Sequence, residues 1–206
     1  MIGFYNYTVI LTYIGTVFGF FGIWCATAGN LQNALYCLLV AGFCDLFDGK
    51  IASTMKRTKP EKRFGIQIDS LSDLICFGLL PGMIVLKSTD GSALFAAISA
   101  MYLLCALIRL AWFNVDEEER QNHAEGEREV YLGLPVTTSA ITIPFIFGLF
   151  RILKLNPGTY APWILLCVAV AFITPFKLKK PHTLGKIIMV AVGIGVLITV
   201  IMGASA

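Results

Sequence analysis

Apolar residues run along this chain in seven blocks, at 7–28, 31–55, 65–86, 92–114, 133–153, 159–176 and 183–203. Each block approaches the roughly 20 residues a helix needs to cross about 30 Å of hydrocarbon. Period-two alternation is absent, and the blocks are too long and too uniformly apolar for barrel strands. Only helices and closed barrels satisfy their own backbone polar groups in lipid. The pattern therefore predicts an all-α integral membrane protein, a polytopic helical bundle of about seven transmembrane helices. The block at 159–176 is the shortest, and the topology of the C-terminal part depends on whether it crosses fully.

Composition agrees with the pattern. The 206 residues are 57% hydrophobic and 14% charged, with mean hydropathy +0.76, against roughly 25% charged residues in soluble domains. Thirteen of the basic residues fall on one side of the predicted bundle: Lys50, Lys56, Arg57, Lys59, Lys62, Arg63, Arg109, Arg120, Arg128, Lys177, Lys179, Lys180 and Lys186. Only Lys87, Arg151 and Lys154 fall on the other. The bias makes the first side cytoplasmic and predicts a multi-pass protein of the cell membrane. With seven crossings the N-terminus is inside and the C-terminus outside. The formal charge of +3 then describes positive-inside topology, and no nucleic-acid partner is expected. The first block lacks the basic flank and cleavage site of a signal peptide and reads as a retained helix. Cys25, Cys37, Cys44, Cys76, Cys105 and Cys167 all fall in apolar blocks with no CxxC pair, and read as small buried hydrophobes.

Residues 1–206 read as one domain without repeats. The 56–63 loop (KRTKPEKR) is basic, and the 116–130 stretch is mixed and acidic, readable as a helical extension of the fourth block. Gly15, Gly19 and Gly22 form a small-residue stripe suited to close helix approach. Pro81, Pro135 and Pro144 are expected to start or kink helices, with neighbouring helices satisfying the freed carbonyls.

The pattern is broken where it should be most expensive. Asp45, Asp48, Asp69 and Asp73 stand at the edges of the second and third blocks. An ionised carboxylate in a bilayer costs about 2.5–3.5 kcal/mol on insertion scales, and four together repel one another. Spacings of i, i+3 and i, i+4 put each pair on one helix face. The second block runs toward the cytoplasm and the third leaves it, so the turn at 56–63 brings all four to similar depth near the cytoplasmic boundary. Salt bridges, for instance to Lys50, are one way to balance them. An oxygen-only donor set without His or Cys suits a pair of hard cations, Mg²⁺ or Mn²⁺, better. Two such ions clamp phosphate oxygens. Gly49, Ala52 and Gly65 lack bulk beside these faces, which lets a ligand approach the backbone.

Asp45-x-x-Asp48-Gly49-x-x-Ala52, followed by Gly65-x-x-x-Asp69-x-x-x-Asp73, resembles the signature of the CDP-alcohol phosphatidyltransferases. The resemblance implies a six-helix core, a homodimer, and displacement of CMP from a CDP-linked lipid by an alcohol. It implies that Asp45, Asp48, Asp69 and Asp73 ligate two divalent cations, and that Asp73 is the catalytic base. Asp48, Gly49, Ala52, Ser53 and Gly65 would contact the CDP of CDP-diacylglycerol. The family usually carries Arg where this chain has Ser53, and the stretch from Ala52 to Gly65 is about three residues longer than its commonest form. Ser53 can still bond a phosphate, and Lys56 or Arg57 can supply the charge.

IDSLSDLICFGLLPG (68–82), RLAWFNV (109–115) and YLGLPVTTSA (131–140) are similar to the phosphatidylserine synthase branch of that family. This implies L-serine as the acceptor, with Arg109 and Asn114 in the acceptor pocket and the Gly133-Leu134-Pro135 turn as a weaker candidate. A snorkelling role for Arg109 is the alternative. Ser70 and Ser72 either orient carboxylates or pack, and His123 and His182 carry no role. Glycerol 3-phosphate, inositol and inositol phosphate are the rival acceptors. A divalent-cation transporter is the non-enzymatic rival, disfavoured because the acidic groups sit at one end of the bundle with no polar path beyond them.

Overall fold

The computed structural model describes residues 3–123, 130–179 and 183–205, with side chains over 3–119, 133–177 and 190–203. Arg128, Lys180 and His182 lie outside the described residues. A short 3₁₀ turn, Tyr7–Val9, leads into α1 (Ile10–Thr27), followed by α2 (Leu31–Ala52). Helix α3 runs Lys59–Lys87 and contains a π-helical turn at Leu74–Leu79. Then come α4 (Ala93–His123), α5 (Ser139–Ile152), α6 (Pro157–Ile173) and α7 (Thr183–Ser205). The seven predicted blocks are thus seven helices. Tyr7–Thr27, Lys59–Lys87 and Ala93–Glu119 are long and apolar enough to cross a membrane. Helix α2 carries the aspartates in its second half, and α6 covers 17 residues, about 26 Å at 1.5 Å per residue.

Local chemistry sets the ends. Gly29, at φ +83°, turns the chain between α1 and α2, and the Asn30 side chain caps α2 by accepting from the Asn33 N–H. Helix α2 stops earlier than the apolar block because Ser53 Oγ and Thr54 Oγ1 donate to the Lys50 and Ile51 carbonyls, competing with further helix bonds. Thr58 and Glu61 form a reciprocal capping box at the start of α3, with Pro60 in its first turn, an arrangement that satisfies two otherwise orphaned N–H groups. Helix α4 continues well past its apolar stretch to His123, as the mixed 116–130 segment suggested.

The fifth block begins later than its apolarity suggests. Leu134 precedes Pro135 and is kept from the helical region, so α5 opens only after a 3₁₀ turn at Val136–Thr138. Pro175 ends α6 in the same way, with Thr174 extended at ψ 124°. The chain then forms a feature that the apolar pattern does not carry. Val130–Leu132 (β1) pairs antiparallel with Lys177–Lys179 (β2), Tyr131 opposite Leu178.

Helix α3 is central, touching α1, α2, α4, α5 and α6, while α1 lies along α2, α4 along α6 and α5 along α7. The core holds Leu35, Leu38, Phe77, Ile84, Tyr102 and Phe147, all essentially without solvent contact. The glycine stripe of α1 does what its spacing predicts. A methyl group on Gly19 would lie 2.7 Å from Cys76 Sγ, and one on Gly22 2.7 Å from Leu80 Cδ2. Bare backbone at these positions lets α1 settle onto α2 and α3. The outer faces are greasy: Ile14, Val17, Phe21 and Trp24 on α1 and Ile194, Ile198 and Ile201 on α7 are exposed, as lipid contact requires.

Candidate metal and nucleotide site

Asp45 and Asp48 project from α2, and Asp69 from α3, with one carboxylate oxygen of each within 4.8 Å of the others. Asp73, one turn further along α3, is 9% exposed. All four line one small cavity of about 10 Å³ with Thr12, Ser72 and Cys76. Asp45 and Asp48 on α2 and Asp69 and Asp73 on α3 thus wall the same cavity from its two sides. Among the described residues no lysine or arginine pairs with any of the four; the ion pair found is Arg63–Glu118 at 3.5 Å on the surface. Lys50 is exposed and does not supply the salt bridge that was the alternative.

Four carboxylates in a space the size of one water, without a cationic side chain, fit divalent ions by donor chemistry and spacing. Asp45, Asp48 and Asp69 meet within ligand range, and Asp73 completes the wall.

Helix α1 organises this cavity, which its sequence does not announce. Thr12 Oγ1 donates to Asp48 Oδ2 at 3.3 Å. Thr16 Oγ1 donates to Ser72 Oγ at 2.8 Å, and Ser72 Oγ donates to the Thr12 carbonyl at 3.4 Å. Ser70 Oγ donates to Asn114 Oδ1 at 2.9 Å. Neither serine bonds an aspartate, so the orienting hydroxyl is Thr12. The one sequence signal for it is position: Thr12 lies three residues before Gly15 on the packing stripe.

The other expected site residues separate into two groups. Gly49 is open, with nothing within 4 Å of where a Cβ would sit, and Ala52 follows Asp48 by one turn on α2. Gly65 precedes Asp69 by one turn on α3, and a methyl group there would lie 3.0 Å from Arg57 Nη1. Ser53 Oγ donates to the Lys50 carbonyl at 2.7 Å. Asn114 reaches the aspartate-bearing helix through Ser70.

Arg109 is elsewhere. It is 6% exposed, its Nε donates to the Leu134 carbonyl at 3.3 Å, and its guanidinium lies 5.6 Å from the ring centres of Trp112 and Phe113. With Trp112, Phe172 and Thr174 it lines a separate cavity of about 240 Å³ that includes none of the aspartates. Gly133, at φ +74°, belongs to the same clasp: a methyl group there would lie 3.0 Å from the Phe172 and Thr174 carbonyls, and its N–H donates to Phe176 at 2.7 Å. The Gly133-Leu134-Pro135 turn therefore holds α4 to the end of α6.

Comparison with known proteins places these residues in a wider set. Residues 5–176 match the CDP-alcohol phosphatidyltransferase family. The chain is 26% identical to the archaetidylserine synthase of Methanothermobacter thermautotrophicus over 85% of its length and 70% of that protein's. It is 26% identical to the CDP-diacylglycerol–serine O-phosphatidyltransferase of Bacillus subtilis, over 86% of this chain and 91% of that protein. The protein of that name from Mycobacterium leprae is 26% identical over 74% of this chain, which spans 51% of it. The chain thus spans from about half to nine-tenths of these relatives' lengths.

Proposed function

The chain belongs to the CDP-alcohol phosphatidyltransferase family, and from that premise we propose that it transfers a phosphatidyl group from CDP-diacylglycerol to the hydroxyl of L-serine. The products are phosphatidylserine and CMP. One observation carries the chemistry: Asp45, Asp48 and Asp69 converge within 4.8 Å, with Asp73 in the same cavity and no basic partner. The acceptor rests on the serine transferases among the relatives, of which the Bacillus subtilis protein covers 86% of this chain.

Asp45, Asp48, Asp69 and Asp73 would hold two divalent cations, Mg²⁺ or Mn²⁺, which when bound would supply positive charge against the donor diphosphate. The chain does the rest. Asp45, Asp48 and Asp69 set the ligand geometry, and Thr12 fixes the carboxylate of Asp48. Gly49, Ala52 and Gly65 leave the backbone of α2 and α3 bare, so the cytidine diphosphate lies close against both helices with Ser53 at the rim. Asp73 takes the proton of the serine hydroxyl. The freed oxygen attacks the lipid-linked phosphorus in line, the new O–P bond forms, and the old P–O bond breaks with its electron pair leaving on CMP. Positioning supplies much of the acceleration, because a carboxylate is a weak base for an alcohol. Asn114, tied to α3 by Ser70, and Arg109, through the turn it anchors, shape the acceptor side. The site faces the cytoplasm, where thirteen of the sixteen basic residues are expected, and the chain works as a homodimer.

Purified protein given CDP-diacylglycerol and one alcohol at a time tests this. CMP release and phosphatidylserine are expected with serine. Release only with glycerol 3-phosphate or inositol overturns the acceptor. Asp73→Asn is expected to lower turnover by about 10²-fold or more at an unchanged melting temperature, and normal turnover removes Asp73 as the base.

A further inference from the structure

We propose that Arg57 is the side chain that grips the donor diphosphate, a task which Ser53 is not placed to perform. The inference rests on the donor reading above and names the residue that completes its site.

Of the five cations in the 56–63 loop, Lys56, Lys59 and Lys62 are exposed. Arg63 is also exposed and pairs with Glu118 at 3.5 Å. Arg57 alone is half-buried. Its chain folds back over the second turn of α3, so that Nη1 lies 3.0 Å from where a Cβ on Gly65 would sit. Gly65 and Asp69 are four residues apart and share a helix face, about 6 Å apart along the axis. Asp69 meets Asp48 across the helix pair, and the face of α2 beyond Asp48 carries open Gly49 and small Ala52. The two helices thus bound a bare-backed trough with the carboxylates at its inner end and the Arg57 guanidinium on its rim.

Ser53 offers less. Its only proton is already donated to the Lys50 carbonyl at 2.7 Å, so it has none to give a phosphate oxygen. Charge balance points the same way. Two dications held by the four carboxylates would offset only those carboxylates, and the charges of the diphosphate would still have to be met. A guanidinium fork suits phosphate oxygens bidentately.

The loop presents Arg57 from fixed points on either side. Before it, Tyr7 Oη and Thr54 Oγ1 are hydrogen-bonded at 3.1 Å. After it, Glu61 accepts from the Thr58 N–H and hydroxyl at 2.8 Å each and from Asn6 Nδ2 at 3.3 Å. Phe4 and Phe64 stack edge to face at 5.4 Å. Glu61, engaged as a cap, feels the Arg57 charge without forming an ion pair with it among the described residues.

Equilibrium binding of CDP in the presence of Mn²⁺ tests the assignment without turnover. Arg57→Gln is expected to weaken CDP by about tenfold or more, the worth of a lost charge-assisted bond. Arg57→Met, which keeps the apolar stem, is expected to match it. Arg57→Lys should fall between, and Lys56→Gln should stay within about twofold of wild type, as an exposed charge does. The KM for CDP-diacylglycerol should rise with the loss while that for serine holds, and the melting temperature without ligand should not move. A purely structural arginine would lower the melting temperature and shift both KM values. Wild-type CDP affinity in Arg57→Gln or Arg57→Met, or an equal loss in Lys56→Gln, overturns the proposal. Failure of the wild-type chain to bind CDP overturns it together with the donor reading, whereas CDP binding without serine-dependent CMP release overturns only the acceptor.

Discussion

Thr12 shows how a single hydroxyl on a neighbouring helix sets the geometry of a carboxylate it does not resemble in sequence. Its bond to Asp48 is 3.3 Å long, and no other side chain outside the carboxylate group bonds that aspartate among the described residues. Groups that orient a metal ligand typically contribute 10–100-fold to metal affinity. Thr12→Val keeps the shape and deletes the donor. It is expected to weaken Mn²⁺ binding by about tenfold, read as free Mn²⁺ by electron paramagnetic resonance, with the melting temperature changed by only a few degrees. Unchanged Mn²⁺ affinity would leave Thr12 a packing residue. The four aspartates were legible in the sequence because charge is rare in apolar blocks, so each stood out. Thr12 was not, because a threonine is unremarkable in a membrane helix until the packing of α1 gives it a partner. Arg109 shows a related limit of sequence reading. Stacking on Trp112 and Phe113 and the bond to the Leu134 carbonyl turn it into a cavity that holds none of the aspartates, and no spacing along α4 records those partners.

Helix α3 carries the widest consequence of one residue for an element. Pro81 has no N–H to give the Phe77 carbonyl four residues back. That carbonyl instead accepts from Tyr102 Oη at 2.6 Å and Ser139 Oγ at 3.1 Å, both donors buried. The backbone between Leu74 and Leu79 opens into a π-helical turn, immediately after Asp73. The bulge re-aims the helix where the acidic face ends and the core face of Phe77 and Leu80 begins. Tyr102→Phe removes the shorter of the two bonds and is expected to cost about 1–2 kcal/mol, seen as a lower melting temperature in detergent. Combining it with Ser139→Ala is expected to exceed the sum of the single changes, because both hydroxyls reach the same carbonyl. Strict additivity would mean that the two hydroxyls do not share this task. The seven helices were readable because long apolar runs have one solution in lipid. The π-turn, the β1–β2 ribbon and the late start of α5 were not. They depend on which backbone groups a proline or a neighbouring chain segment leaves unpaired, and apolarity does not record that.

At the scale of the whole molecule, depth and side decide whether the site can meet both a lipid-borne and a water-borne substrate. Helix α3 covers 29 residues, about 44 Å, which exceeds the ~30 Å of hydrocarbon and obliges both ends to reach water. Its apolar part opens at Phe64, placing Asp69 about 8 Å and Asp73 about 14 Å along the axis from that point. The carboxylates therefore lie in the leaflet on the side of Lys59, Lys62 and Arg63, shallow enough for a soluble acceptor and deep enough for a diacyl donor. The excess of basic residues on that side is what supports the proposed cytoplasmic face. Lys59 and Asp90 are exposed at opposite ends of α3, while the native cysteines stand in apolar helices, so a thiol at either end is distinguishable from background. A membrane-impermeant maleimide applied to intact cells is expected to label Asp90→Cys and to leave Lys59→Cys unlabelled. Lysis or inversion of the membrane should then expose Lys59→Cys, with the unsubstituted chain unlabelled throughout. The opposite pattern would put the aspartate cluster on the outer leaflet, out of reach of cytoplasmic serine and CDP-lipid, and would remove the proposed reaction from this membrane.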